Sequence, residues 1–168
     1  MIDLIAIKDW QKSLEDFVIN DITRAVQADN LEVGLIILNL IATECLSGYF
    51  SGRDANRQTF VAFVSRYFPD SYKPYADTIY GKLRDGLLHD YIVKKGKPFT
   101  FIMNREVGEP HLVWYKTNKL MWFNRKQFAY ALLAAWEKYV ADVTTDQQLY
   151  DNVKLRLKAR GRLKVVPT

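Results

Sequence analysis

The middle of the chain carries an arginine, an aspartate and a histidine in one short stretch, RDGLLH, which begins at Arg84. An arginine donates paired hydrogen bonds to a phosphate group, and a histidine can take up or release a proton near neutral pH. Asp85 and His89 are four residues apart, a spacing that lets two side chains touch on a helix. Together these residues could bind a phosphate group and move a proton beside it.

A helical wheel predicts which sides of this segment are covered. The predicted core side holds Ile79, Tyr80, Leu83, Leu87 and Tyr91. A second stripe lies between Arg84 and the Asp85–His89 pair and holds Gly81, Leu88 and Ile92. A small and apolar stripe on the outer side of a helix favours packing against another chain, so these three residues are the predicted homodimer interface. The alternative is an ordinary surface helix in which His89 caps the helix end and Arg84 covers a neighbour's flank.

Other catalytic and metal-binding motifs are missing from the sequence. His89 and His111 are far apart and Cys45 is the only cysteine, so no ligand set has the spacing of a zinc site. There is no P-loop for nucleoside triphosphates and no Gly-x-Ser-x-Gly elbow. The sequence therefore predicts neither a metal nor a cofactor. Cys45 lies in an apolar stretch, where packing is a better interpretation than a reactive thiol.

The net charge of +5 is concentrated at the C-terminal end. The stretch 154–168 contains no acid and six cations, which are Lys154, Arg156, Lys158, Arg160, Arg162 and Lys164. Clustered cations gain affinity for a polyanion by releasing phosphate counterions, so these six residues are predicted RNA contacts. The alternatives are a solvated, frayed terminus, or a segment that packs on the rest of the molecule through its leucines.

Hydrophobic spacing predicts one mainly helical domain over residues 1–168, with a small β-hairpin insert around 97–117. The apolar stripe of the first predicted helix holds Ile7, Trp10, Leu14, Phe17, Val18, Ile22 and Ala25. In the second helix Gly48 and Gly52 are predicted stop signals, and Asn124 is a predicted cap farther along the chain.

The most apolar stretch, 33–46, is interrupted by Asn39 and Glu44, which favours a buried core helix over a membrane span. The first ten residues lack the pattern of a signal peptide. We therefore expect a cytoplasmic protein without a membrane partner. In the insert, His111 is predicted to be a surface residue. The aromatic residues around it (Trp114, Tyr115, Trp122 and Phe123) favour a small satellite core over base stacking.

The stretch from Arg84 to His89 resembles the motif of the HEPN superfamily (higher eukaryotes and prokaryotes nucleotide-binding domain). That motif is an arginine, a polar residue, a few further residues and a histidine, near the end of a bundle helix. The segments IATECLSGYFSGR and FVAFVSRYFPDSYKPYADTIYGKLRDGLLHDY are similar to the helices that surround the motif in uncharacterised bacterial members. The resemblance covers about residues 31–95.

The resemblance implies an up-and-down helical bundle that forms a homodimer, with two motifs meeting at the interface. It also implies a metal-independent endoribonuclease, of the kind found among toxins and defence factors, and with it an antitoxin-like protein partner. In that interpretation His89 is the general acid or base, Arg84 stabilises charge on the phosphate oxygens, and Asp85 occupies the polar position. The family often has asparagine where this chain has Asp85, whose charge would repel a phosphate group. The alternative is a non-catalytic HEPN-like module that binds a nucleotide or a protein partner.

Overall fold

The computed structural model describes residues 4–28, 32–90, 100–104, 108, 110–115 and 120–160, with only the backbone of 4–6, 32, 88–90, 100–104 and 120. In chain order the α-helices are α1 (Leu4–Leu14), α2 (Asn20–Gln27), α3 (Glu32–Ser51), α4 (Arg57–Tyr67), α5 (Ala76–Thr78), α6 (Asp85–Asp90), α7 (Arg125–Thr145) and α8 (Gln147–Ala159). The strands are β1 (Thr100–Asn104), β2 (Val113–Tyr115) and β3 (Leu120–Asn124). The predicted mainly α-helical bundle is confirmed.

Helix α3 lies at the centre of the bundle and packs against α4, α7 and α8. Its apolar residues Leu35, Leu40 and Leu46 are fully buried. It also buries polar side chains, which find partners on the helix itself: Asn39 donates to the carbonyl of Leu35 at 2.7 Å, and Thr43 donates to the carbonyl of Asn39 at 2.7 Å. These bonds use the amide nitrogen of Asn39 and the hydroxyl of Thr43, which would otherwise be costly to bury. Within the described residues, one helical segment, Val33–Ser51, is long enough and apolar enough to cross a membrane. In this structure 56% of it is buried inside the molecule.

Two π-helical turns interrupt the first predicted helix and the predicted helix that carries RDGLLH. One covers Glu15–Ile19 between α1 and α2, and the other covers Ile79–Arg84 between α5 and α6. A π-helical turn contains more residues than an α-helical turn, so it rotates the helix that follows. The prediction that Phe17 belongs to the buried stripe is wrong for this reason: Phe17 is 75% exposed, while Leu14 and Ile22 on either side are buried. Ile79, Leu83 and Leu87 are buried as predicted.

The insert is a three-stranded sheet in the order β1-β3-β2. Strand β1 pairs with β3 in parallel, with Ile102 opposite Trp122, and β2 pairs with β3 in antiparallel, with Trp114 opposite Met121. The predicted hairpin between the first two strands is therefore wrong, because the run LMWFN supplies a central strand that both of them use. Met121 and Phe123 of that strand are fully buried and join the helical core.

Candidate functional site

Arg84 is fixed by carboxylates from two parts of the chain. Its Nε and Nη2 atoms donate to the two oxygens of Glu44 at 3.0 and 2.7 Å, and its Nη1 donates to Asp85 at 3.0 Å. Glu44 comes from α3, whereas Arg84 is the last residue of the second π-helical turn. The side chains of Arg84 and Glu44 are only 20% and 19% exposed. This arrangement ties the RDGLLH stretch to the central helix.

The surroundings of Arg84 favour its charged form. The hydrogen bonds that the Arg84 guanidinium donates to Glu44, and then the one that it donates to Asp85, raise its pKa, although burial opposes them. The guanidinium also lies 5.2 Å from the centre of the Tyr80 ring, a cation–π distance. Arg84 is therefore a permanent cation held in one orientation, with two carboxylates on its donor edge.

A second arginine–carboxylate pair lies on the surface beside this one. Arg57 donates to both oxygens of Asp77 at 2.5 Å, and its guanidinium lies over Gly81, where an added Cβ would come within 3.5 Å of it. Gly81, a predicted interface residue, is thus half-covered by Arg57 in the single chain. The side chains of the other two, Leu88 and Ile92, lie outside the described residues.

The backbone of His89 lies in α6, one turn beyond Asp85, as the motif requires. Its side chain lies outside the described part of the chain, so the predicted contact between Asp85 and His89 stays a prediction. Asp85 itself contacts Arg84, the preceding residue, at the start of the helix.

An open cleft of about 590 Å³ lies next to the Arg84–Glu44 pair. Its lining residues come from the α1–π turn, α3, the α3–α4 loop and α8, and they include Phe17, Ile41, Glu44, Cys45, Arg156 and Arg160. Ile41 is 48% exposed, so together with Phe17 it gives the cleft an apolar wall. Cys45 is half-buried in this cleft. Because Glu44 lines the cleft and also pairs with Arg84, it connects the cleft to the motif.

The structure divides the predicted RNA contacts of the basic stretch into different environments. Arg156 is buried, pairs with Asp54, and reaches α3 closely: an added Cβ on Gly48 would lie 3.3 Å from its Nε. Gly48 is thus an internal residue of α3, and its lack of a side chain leaves room for Arg156. The prediction that Gly48 is a stop signal is wrong. The helix ends at Ser51, before Gly52 with φ +70°.

The other basic residues of α8 and its cap (Lys154, Lys158 and Arg160) are exposed, while Arg162 and Lys164 lie outside the described residues. A frayed segment is wrong for 154–159, which are helical. The hydrogen bond and charge of Arg156, and then the charge of Arg160, lower the pKa of Asp54.

His111 is largely buried, so the prediction that it is a surface residue is wrong. Its Nδ1 accepts the backbone N–H of Asn124 at 2.9 Å, and its Nε2 lies 2.6 Å from the Tyr72 hydroxyl. Since Nδ1 accepts, the neutral ring carries its proton on Nε2 and donates it to Tyr72. Burial lowers the pKa of His111 to about 4. His111 therefore joins the sheet to the helices as a neutral residue.

Sequence reasoning missed Glu44 and Phe17 as residues of the site. A signal for Glu44 was present, because a lone carboxylate in an apolar helix needs a cationic partner. The sequence carries no comparable signal for Phe17. Among the residues that the structure describes, no group of three His, Cys, Asp or Glu side chains could hold a metal ion. No protein-family model, no curated protein and no solved structure matches the chain, so the HEPN resemblance remains a prediction from the motif and its neighbouring segments.

Proposed function

We propose that the protein is a HEPN-like, metal-independent endoribonuclease that acts as a homodimer. The observation that carries the proposal is the bidentate Arg84–Glu44 pair at the edge of an open cleft. The motif arginine is preoriented there by a carboxylate from another helix. It also ends a π-helical turn, and such turns occur frequently at functional sites.

In the proposed reaction the RNA supplies its own nucleophile, the ribose 2′-hydroxyl. His89 takes the 2′ proton, the 2′-oxygen bonds to phosphorus, and the bond from phosphorus to the 5′-oxygen breaks. A proton returns to the 5′-oxygen, from His89 of the same or of the other subunit, which leaves a 2′,3′-cyclic phosphate and a 5′-hydroxyl. Arg84 stabilises the charge that builds on the phosphate oxygens.

The carboxylates around Arg84 have different roles in this proposal. Glu44 holds the guanidinium through two bonds and is a positioning residue, whereas Asp85 uses only one oxygen of its carboxylate. An incoming phosphate oxygen would take the place of Asp85 on Nη1 and leave the Glu44 pair intact. Phosphate binding in this arrangement then requires only a local movement of Asp85.

A second candidate function is a non-catalytic module that binds a protein partner. The observation that favours it is the same arginine: two carboxylates face one guanidinium, so the site already balances the charge that a phosphate would satisfy. In that case Arg84, Glu44 and Asp85 hold α6 in place, and the protein partner binds the surface next to these residues.

The test uses a broad panel of RNAs, with the wild type and the variants Arg84→Ala, His89→Ala and Arg57→Ala. We expect wild-type cleavage in EDTA with cyclic-phosphate products. We expect a loss of roughly 100- to 10,000-fold in His89→Ala, the range for general acid–base help, and of roughly 100- to 1,000-fold in Arg84→Ala, the range for loss of one charge-stabilising donor. Arg57→Ala is the matched control because it also breaks a bidentate arginine–carboxylate pair near the motif, and it should cleave normally.

Light scattering on the same samples should give a dimer, and circular dichroism should show that each variant is folded. If the folded wild-type dimer leaves every RNA uncut, the nuclease proposal is rejected in favour of the binding module. A folded monomer that cleaves would reject the two-subunit site.

A further inference from the structure

We infer that the cleft beside Glu44 binds an unpaired nucleotide of single-stranded RNA next to the scissile phosphate. The inference rests on the proposed function for its substrate class, and it assigns the cleft a role that the motif alone does not supply. The cleft is open to solvent, and its volume of about 590 Å³ lies within the ~300–1,000 Å³ range of small-ligand sites. A single nucleotide is a ligand of that class.

The apolar wall offers a surface on which a base can pack. Phe17 is 75% exposed, whereas Leu14 before the π-helical turn and Ile22 after it are buried, because the turn rotates Phe17 outward. Ile41 faces the same cleft from α3. Exposed aromatic rings bind the faces of bases in a sequence-tolerant way, and they can do so only where the base is unpaired.

The basic end of the cleft suits a phosphate group. Arg156 is a charged side chain only 6% exposed, and it is anchored by Asp54, whose own side chain is 91% exposed. Arg160 follows one helical turn later, is exposed and lines the same cleft. A phosphate oxygen can therefore approach Arg160 from solvent, because Arg156 offsets the charge of the neighbouring Asp54 carboxylate.

The position of Glu44 connects this site to the proposed chemistry. Glu44 lines the cleft and holds Arg84, so a nucleotide in the cleft places its neighbouring phosphate on the Arg84 side. A base in a duplex could not enter the cleft, and the inference therefore assigns the protein a preference for single-stranded RNA.

Cys45 supplies a direct readout, because it is the only cysteine of the chain and lines the cleft. The probe is a single-stranded RNA with 2′-O-methyl groups, which lacks the nucleophile and cannot be cut. The rate at which a maleimide labels Cys45 is measured with and without this RNA, and affinity is measured by anisotropy over a salt series. We expect the RNA to slow labelling at least several-fold and the matching duplex to leave the rate unchanged.

The variants separate the two parts of the site. Phe17→Ala should weaken the binding of the single-stranded RNA about 10-fold, which lies within the range for loss of one stacked base. Leu155→Ala is the control, since Leu155 is also an exposed apolar residue but lies outside the cleft lining. Arg160→Ala should reduce the salt slope of binding by about 0.7, the value for one phosphate contact on a single strand. Lys8 is an exposed cation on α1 outside the cleft lining, and Lys8→Ala should change the salt slope less.

Each outcome gives a decision. RNA that binds without protecting Cys45, or equal affinities for Phe17→Ala and Leu155→Ala, would overturn the inference. Protection by the duplex, or equal protection by a free nucleoside monophosphate, would also overturn it and would assign the cleft to another ligand. If the wild type cuts no unmodified RNA but the single strand still protects Cys45 and Phe17→Ala abolishes that effect, the cleft inference stands while the proposed nuclease fails.

Discussion

Arg84 and Arg57 form the same type of pair in different surroundings. Each guanidinium holds one carboxylate through two hydrogen bonds, but the Arg84–Glu44 side chains are 20% and 19% exposed, whereas those of Arg57 and Asp77 are 57% and 61% exposed. Water screens the second pair far more than the first. The two pairs therefore allow a direct comparison of how much burial adds to the stability that an arginine–carboxylate pair of this geometry contributes.

We expect Glu44→Gln to lower the free energy of unfolding by about 1–3 kcal/mol, because it leaves a largely buried guanidinium without its main counter-charge. Asp77→Asn should cost less than about 1 kcal/mol, as exposed pairs do. Urea unfolding of both variants measures the difference. Equal losses would show that Glu44 contributes no more than a surface carboxylate.

At the residue scale the sequence predicts one half of this pair and not the other. The types and spacing of Arg84, Asp85 and His89 are visible in six consecutive residues. Glu44 lies 40 residues earlier, and its partner depends on how α3 packs against the later helices. Its presence in an apolar helix indicated a buried cation partner, but no local pattern indicates which of the many cations that partner is.

At the scale of elements, His111 couples the sheet to the helices in a way that depends on pH. In the folded protein burial lowers its pKa from 6.5 to about 4. Between these values the unfolded chain binds the proton and the folded chain does not, so stability rises with pH through this window. The contribution is fully present above about pH 6.5 and is lost as the pH falls toward 4.

We expect the free energy of unfolding of the wild type to fall by roughly 2–3 kcal/mol more than that of His111→Asn between pH 7 and pH 4.5. Asparagine is the chosen replacement because it can still accept a hydrogen bond from Asn124 but does not titrate. Denaturant unfolding at the two pH values provides the measurement. Parallel losses in the two proteins would mean that His111 does not titrate on unfolding.

Helical periodicity predicts most helices of this fold but not the irregular elements. Ile79, Leu83 and Leu87 share a face on any nearly regular helix, and all three are buried. The π-helical turn at Glu15–Ile19 breaks the period that placed Phe17 in the core, and its sequence, EDFVI, contains no glycine or proline to mark it. Strand β3 was missed because it is short and ends on the predicted cap itself: its first four residues lie directly before Asn124, which does cap α7 by accepting the N–H of Gln127 at 2.9 Å.

At the scale of the whole molecule, the basic stretch at the C-terminal end has a structural part and an exposed part. Val153 and Leu157 join the core, and Arg156 is buried against α3 and Asp54. Deletion of the entire stretch would therefore damage the fold as well as remove charge. Substitution of the exposed cations alone separates these effects.

We expect the triple variant Lys154→Ala, Lys158→Ala and Arg160→Ala to reduce the salt slope of RNA binding by about 2, the sum of three single-strand phosphate contacts. Its unfolding midpoint should stay close to that of the wild type, because all three side chains are exposed. Arg156→Ala should show the opposite pattern, with lower stability and little change in slope. An unchanged slope in the triple variant would remove the basic stretch from the RNA-binding surface.

Helix α8 packs against α3 but is synthesised long after it. The side chain of Asn152 donates to the carbonyl of Phe50 at 2.7 Å, a contact between residues 102 positions apart. At translation rates of roughly 5–20 residues per second, α3 leaves the ribosome about 5–20 s before the helix that caps its end. During that interval the most apolar helix of the protein lacks one of its neighbours. We therefore expect α3 to remain incompletely covered on the nascent chain until α8 has emerged and packed against it.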